Sequence, residues 1–219
     1  MKLKKLSDVQ KLVSVSLGFT LSLLIIRTLY TDSASYFFYP WNLFLALVPV
    51  FFSGLLLKQK TFNYKSILLL ALWLLFLPNA PYLVTDIFHF TERPPIPLWF
   101  DLILVVSGAW NGILLCMISL FRVEKFLKSK SRFKQTDIVM FLLLIPCGYG
   151  IYIGRYLRYN SWNVITDPIN ILKTSTHHLH HPFQSLNVWL FTFIFALFLG
   201  IIYFTIKKLP RALSATGQL

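Results

Sequence analysis

Six apolar stretches, each close to the length that crosses a bilayer, constrain this chain more than any other feature. A spanning helix needs about 20 mostly apolar residues to cross ~30 Å of hydrocarbon. The stretches are residues 12–30, 41–57, 66–85, 99–121, 138–155 and 186–206. The second is the shortest and contains Pro49. The first is longer than the ~7–15 apolar residues of a signal peptide, and no small-residue cleavage pattern follows it, so it reads as a retained span. Composition agrees, with 13% charged residues against about 25% in a soluble domain. The expected fold is all-α: a polytopic transmembrane helix bundle of about six spanning helices, with residues 1–219 forming a single transmembrane domain.

A net charge of +13 would suggest nucleic acid in a soluble protein. Here the basic residues sit between apolar stretches and carry no nucleic-acid motif, so no nucleic acid is expected as a partner. They report orientation instead, because cytoplasmic loops are enriched in Lys and Arg. With the N-terminus inside, 16 of the 21 basic residues and three of the eight acidic ones fall on the inner face, from Lys2, Lys4, Lys5 and Lys11 through the Arg122–Lys134 segment to Arg211. The outer face holds the remaining five of each sign and is balanced. The reading is a multi-pass protein of a bacterial cytoplasmic membrane with both termini cytoplasmic. Its partners are the lipid bilayer and anionic lipids at the inner face, at about 1 kcal/mol per basic residue near the surface.

The longest stretch between spans runs from Tyr156 to Ser185. In it Trp162, Ile165, Ile169 and Leu172 recur with helical spacing. A short amphipathic helix on the outer membrane surface, broken near Asp167-Pro168, is one reading, and a plain loop is the other. Cys116 and Cys147 fall inside apolar stretches and are expected to pack as small hydrophobes. Leu77-Pro78 and Ile145-Pro146 sit at similar depths, but little else matches, so no internal repeat is expected.

Polar groups inside a bilayer are costly, so where they gather is informative. They gather at the outer ends of the third, fourth and fifth stretches. The third ends with Asn79, Tyr82, Asp86 and His89, spaced three and four apart. Pro81 predicts a kink or unwound turn there, and a helical continuation puts Tyr82, Asp86 and His89 on one face. Asp86 and His89 can then act as an acid/base pair, contribute to a metal site, or simply hydrogen-bond at a helix end. Asp101 opens the fourth stretch and wants a cation, for which Arg155 is the obvious candidate. Asn111 lies about 15 Å deeper. With Ser107 and Gly108 on its face, it reads as a link between closely packed helices.

The fifth stretch closes with Gly148, Gly150 and Gly154, a rail of Tyr149, Tyr152, Tyr156 and Tyr159, and the pair Arg155 and Arg158. The two guanidiniums can clamp a lipid phosphate or pair with Asp86 and Asp101. His177, His178, His180 and His181 form a tract that offers weak metal ligands or a pH-sensitive patch. The cofactor is left open: a divalent metal is conceivable, but no complete ligand set supports one.

Leu77 to Tyr82 with Thr85, Asp86 and His89, then Pro97 to Asp101, then Ala109 to Gly112, and then Gly154-Arg155 to Trp162 resemble a multi-spanning bacterial membrane-protein family known as domain of unknown function 1361. The resemblance covers roughly Trp73 to Pro168. It implies many spans and no particular activity, and the four-histidine tract is not part of it.

Three functional readings follow from the residues themselves. In the first, the outer polar site handles a lipid-linked or cell-envelope substrate, with His89, Asp86 and Asp101 as candidate catalytic residues. Asn79, Tyr82, Asn111, Arg155 and Arg158 are then candidate substrate-binding residues. The second reading is a small transporter or channel component, for which the proline-broken third stretch is the pointer and a homo-oligomer the expectation. The third is a structural or regulatory subunit with a membrane partner, whose polar cluster serves packing. Whether the chain is an enzyme stays open at this stage.

Overall fold

The computed structural model describes residues 8–31, 36–130 and 135–216, with side chains as far as residue 210. Lys2, Lys4, Lys5, Arg132 and Lys134 of the expected inner cluster lie outside the described residues. The chain runs through α1 (Asp8–Thr31), α2 (Phe38–Leu57), α3 (Tyr64–Phe76), α4 (Asn79–Tyr82) and a 3₁₀ segment (Leu83–His89). It continues through α5 (Leu98–Lys130), α6 (Thr136–Tyr156), α7 (Asn163–Thr166), α8 (Pro168–His180) and α9 (Leu186–Thr216). Among the described residues there is no strand. Six helical segments are long and apolar enough to span a membrane, and they match the six stretches in order. The fold is an all-α polytopic bundle.

The third span is built in pieces. Asn63 starts α3 by accepting a hydrogen bond from the Ser66 amide at 3.1 Å, which satisfies one of the donors a helix start leaves bare. The break falls at Leu77-Pro78, one turn before the expected site at Pro81. Pro78 has no amide for the next helical bond, and it caps α4 instead. Pro81 sits buried within that new first turn, where its missing N–H costs nothing. The chain then tightens into the 3₁₀ segment, which closes with the Phe90 amide donating to the Ile87 carbonyl at 3.0 Å.

The central helix is α5. Its most apolar window is 56% buried, against 17–33% for the other five spans. α1, α2, α4 and the 3₁₀ segment pack on α5, while α6 pairs with α9. A Cβ on Gly112 of α5 would stand 2.3 Å from the Ala80 carbonyl oxygen, so α4 presses its backbone against α5. A Cβ on Gly148 of α6 would stand 2.4 Å from the Thr192 carbonyl oxygen of α9. Such approaches need a glycine at the crossing.

Both described ends of the chain lie at one face. Lys207 of α9 pairs with Glu124 of α5 and Asp137 of α6. Val9 and Gln10 of α1, Lys58 after α2 and Arg122 of α5 line one groove. The terminal face therefore carries the start of α1 and the ends of α2, α5 and α9. The distal face carries Asp101, the 3₁₀ segment and the end of α6.

Beyond α6 the stretch expected to be an interfacial helix or a loop is helical, and it breaks at Asp167 before Pro168 as the sequence suggested. It extends further than the apolar periodicity showed, taking in most of the histidine tract. Ile165, Ile169, Leu172, Leu179 and Phe183 are 63–92% exposed, the surface a helix at a lipid interface presents.

Candidate functional site

Two ion pairs organise the distal end of the bundle. In the first, Arg27 of α1 grips Asp101 of α5, with Nε donating to Oδ1 at 2.7 Å and Nη2 to Oδ2 at 3.1 Å. Both residues are fully buried. The guanidinium also covers the Tyr36 ring at 4.5 Å, and Arg93 approaches the same ring at 4.9 Å. This corrects the expectation that Arg155 serves Asp101. The sequence carried the signal: an arginine within the first apolar run needs a buried counter-ion.

Arg155 goes to Asp86 instead, with Nη1 at 3.5 Å from Oδ1. Asn42 of α2 donates to the other Asp86 oxygen at 3.1 Å. The Arg155 guanidinium also lies over the rings of Phe88 at 5.2 Å and Tyr82 at 5.8 Å. Asp86 is thereby held by a cation and an amide, and it is buried. His89 lies three residues on, but the two share no hydrogen bond. The His89 ring packs on Phe38 at 5.3 Å and is exposed. The candidate catalytic groups Asp86, His89 and Asp101 therefore do not converge on one point.

Asn111 of α5 faces α1. Its amide donates toward the Ser16 carbonyl at 3.2 Å, Thr20 Oγ1 at 2.8 Å and the Ser107 carbonyl at 3.0 Å. Thr20 in turn donates to Ser107 Oγ at 2.9 Å. This polar tie joins α1 to α5 deep in the bundle, in line with the linking role expected of Asn111. Interhelical hydrogen bonds of this kind contribute about 0.6 kcal/mol each on average.

Two other polar candidates, Asn79 and Tyr82, meet at a cavity. A space of 420 Å³ lies between α2, α3–α4 and α6, closed by the chain that follows α6. Asn79 and Tyr82 line it, with Asn42, Tyr149, Asn160 and Ser161. Asn79 Nδ2 donates to Ser161 Oγ at 2.9 Å, and Ser161 donates to the Leu75 carbonyl at 3.2 Å, which bonds the broken third span to the chain after α6. The Ser161 contact gives a partner to a carbonyl at the end of α3, where the helix breaks. Gly150 gives Pro78 its room, since a Cβ there would stand 2.4 Å from Pro78 Cγ. Asn42 was not singled out in the sequence, and Tyr149 and Ser161 were read only as parts of the tyrosine rail and of the stretch from Gly154 to Trp162. Only the fold brings them beside Asn79, and nothing in their local pattern announces it.

Arg158 stands just past the end of α6, exposed, with φ at 59°. The Tyr159 amide donates to the Ile153 carbonyl at 3.2 Å. That bond reaches back six residues and closes the helix end around a left-handed residue, where glycine is usual. Among the described residues Arg158 makes no ion pair.

The histidine tract closes α8. His178 Nδ1 and Tyr149 Oη share a hydrogen bond of 3.0 Å, and Trp189 Nε1 donates to the His178 carbonyl at 3.1 Å. His177 and His181 face each other with ring centroids 4.9 Å apart. Among the described residues no three His, Cys, Asp or Glu side chains come close enough together to hold a metal ion.

Comparison with known proteins returns one family. Residues 41–202 match the family described as "Protein of unknown function (DUF1361)", about three quarters of the chain. No curated protein and no solved structure matches. The whole lining of the cavity falls inside the matched region, whereas Arg27 and the rest of α1 fall before it. The chain belongs to the DUF1361 family.

Proposed function

We propose that this DUF1361 member is a membrane-embedded binding protein for a lipid-linked or similarly amphipathic cell-envelope molecule, held in the cavity between α2, α3–α4 and α6. The observation that carries this reading is a polarity gradient repeated on three walls. α2 contributes Leu45 and then, one turn nearer the distal face, Asn42. The third span contributes Ala71 and Leu74, then Asn79 and Tyr82. α6 contributes Pro146 and Gly150, followed past its end by Asn160 and Ser161. From Ala71 to Tyr82 the gradient covers about 16 Å of helix, long enough for a head group and the first carbons of its chain.

Tyr82 Oη and the Asn79 carboxamide oxygen offer a donor and an acceptor to the head group. Arg155 acts at one remove by holding Asp86, which holds Asn42. Arg158, unpaired at the distal rim, is the cation a phosphate meets. The asymmetry of basic residues supports placing both termini in the cytoplasm and the polar end of the cavity on the envelope side. Acid–base catalysis draws less support, because both carboxylates accept from arginines and His89 packs against Phe38. The transport reading rests on the broken third span, yet α4 is pressed against α5 at Gly112.

Native mass spectrometry of the detergent-purified protein tests the proposal. The wild type should retain an amphiphile that Ala71→Trp, which fills the apolar end from an exposed position, depletes at least tenfold with its melting temperature unchanged. Equal retention by the two proteins would remove this reading.

A further inference from the structure

Arg122 of α5 directly follows the fourth apolar stretch at the terminal face, partly buried, and no carboxylate answers it. Its Nη1 donates to the Val50 carbonyl of α2 at 2.9 Å. Among the described residues it forms no ion pair. A guanidinium carries five N–H donors, and one of them is used here. The nearby carboxylates are engaged elsewhere: Glu124 with Lys128 and Lys207, Asp137 with Lys207, and Asp8, itself 94% exposed, with Lys11. A cation desolvated by apolar neighbours without a counter-charge carries an electrostatic penalty that an anion would remove.

We infer that the groove between α1, α2 and α5 at the terminal face binds an anionic phospholipid, with its phosphate on Arg122 and Lys58 and an acyl chain along the apolar floor. The groove measures 850 Å³, within the roughly 300–1,000 Å³ of small-molecule sites. Its lining is ordered by depth on all three helices. α5 runs from Arg122 inward to Ile118, α2 from Lys58 inward to Leu47, and α1 from Gln10 inward to Leu17. From Lys58 to Leu47 the floor extends about 16 Å, so the site offers a chain as well as a charge. An inorganic anion would meet the two cations but leave the apolar floor uncovered, which favours the lipid. This groove lies at the opposite end of the bundle from the cavity of the proposed function and does not depend on it.

The test uses the full chain in mild detergent, titrated with phosphatidylglycerol, phosphatidylcholine or inorganic phosphate and read by native mass spectrometry. Arg122→Gln is expected to weaken phosphatidylglycerol binding about tenfold and leave phosphatidylcholine binding unchanged. Leu47→Trp, at a position 38% exposed, fills the floor and should cause the same loss with both cations in place. Arg122→Lys, which keeps the charge, should stay within threefold of the wild type, and with Leu47→Trp it decides the matter if Arg122→Gln does not fold. Phosphatidylglycerol binding that survives Leu47→Trp overturns the inference, as does binding that inorganic phosphate displaces or phosphatidylcholine matches.

Discussion

Arg27 and Asp101 meet through two parallel hydrogen bonds, with neither side chain more than 2% exposed, although 74 residues separate them in the chain. The pair is the main electrostatic tie between α1 and α5, and its energetics are asymmetric. Two buried charges that match cost little relative to a well-packed apolar pair, whereas one buried charge left alone costs about 3–5 kcal/mol. Arg27→Leu should therefore destabilise the protein by about that amount. The double variant Arg27→Leu with Asp101→Leu should recover most of the loss. Reversible unfolding by denaturant in micelles measures both. A double variant as unstable as the single one would assign the role of Arg27 to its contact with Tyr36, worth about 2 kcal/mol when desolvated.

His178 should make the docking of α8 pH-dependent. Burial holds its imidazole below the ordinary histidine pKa of 6.5, and the neighbouring His177 adds to the effect. Tyr149, Ser175, Tyr152, Trp189 and His177 surround it, and none of them supplies a negative charge. The unfolded chain then binds more protons than the folded one, so the contribution is fully present above about pH 6.5 and declines as pH falls below it. Amide protection factors in residues 168–180, corrected for the intrinsic pH dependence of exchange, should fall between pH 7.5 and pH 5. His178→Gln should flatten that dependence, and an unchanged slope in the variant would place the titration elsewhere.

Arg158 separates binding from stability. An L-residue in the left-handed conformation costs roughly 1 kcal/mol that glycine avoids. Arg158→Gly should therefore leave the melting temperature unchanged or raise it by a few degrees. It should also weaken retention of a phosphate-bearing amphiphile at the distal cavity about tenfold. If retention is unaffected, the guanidinium has no part in the site.

The spans could be read from the sequence because the penalty for exposing polar backbone to hydrocarbon is local. The partnerships could not. Asp101 and Asp86 each needed a cation, but which arginine reaches which carboxylate depends on the order of helices around α5, and only tertiary packing sets that order. The break in the third span was foreseen and misplaced by one turn, because Pro78 and Pro81 look alike in sequence. What separates them is that Pro81 finds a first turn in which its missing N–H is harmless. Asn79 and Tyr82 were identified as site residues. Their companions Asn42, Tyr149 and Ser161 come from other parts of the chain, and neither the tyrosine rail nor the stretch around Ser161 says which helix it will face.

The distance in sequence between Arg27 and Asp101 also orders events during synthesis. A ribosome delivers the arginine to the membrane well before the aspartate exists, and two complete spans emerge in the interval. Until then the charge must wait near the lipid head groups at the end of its helix. The first span would settle at its final depth only once the fourth has arrived to neutralise it.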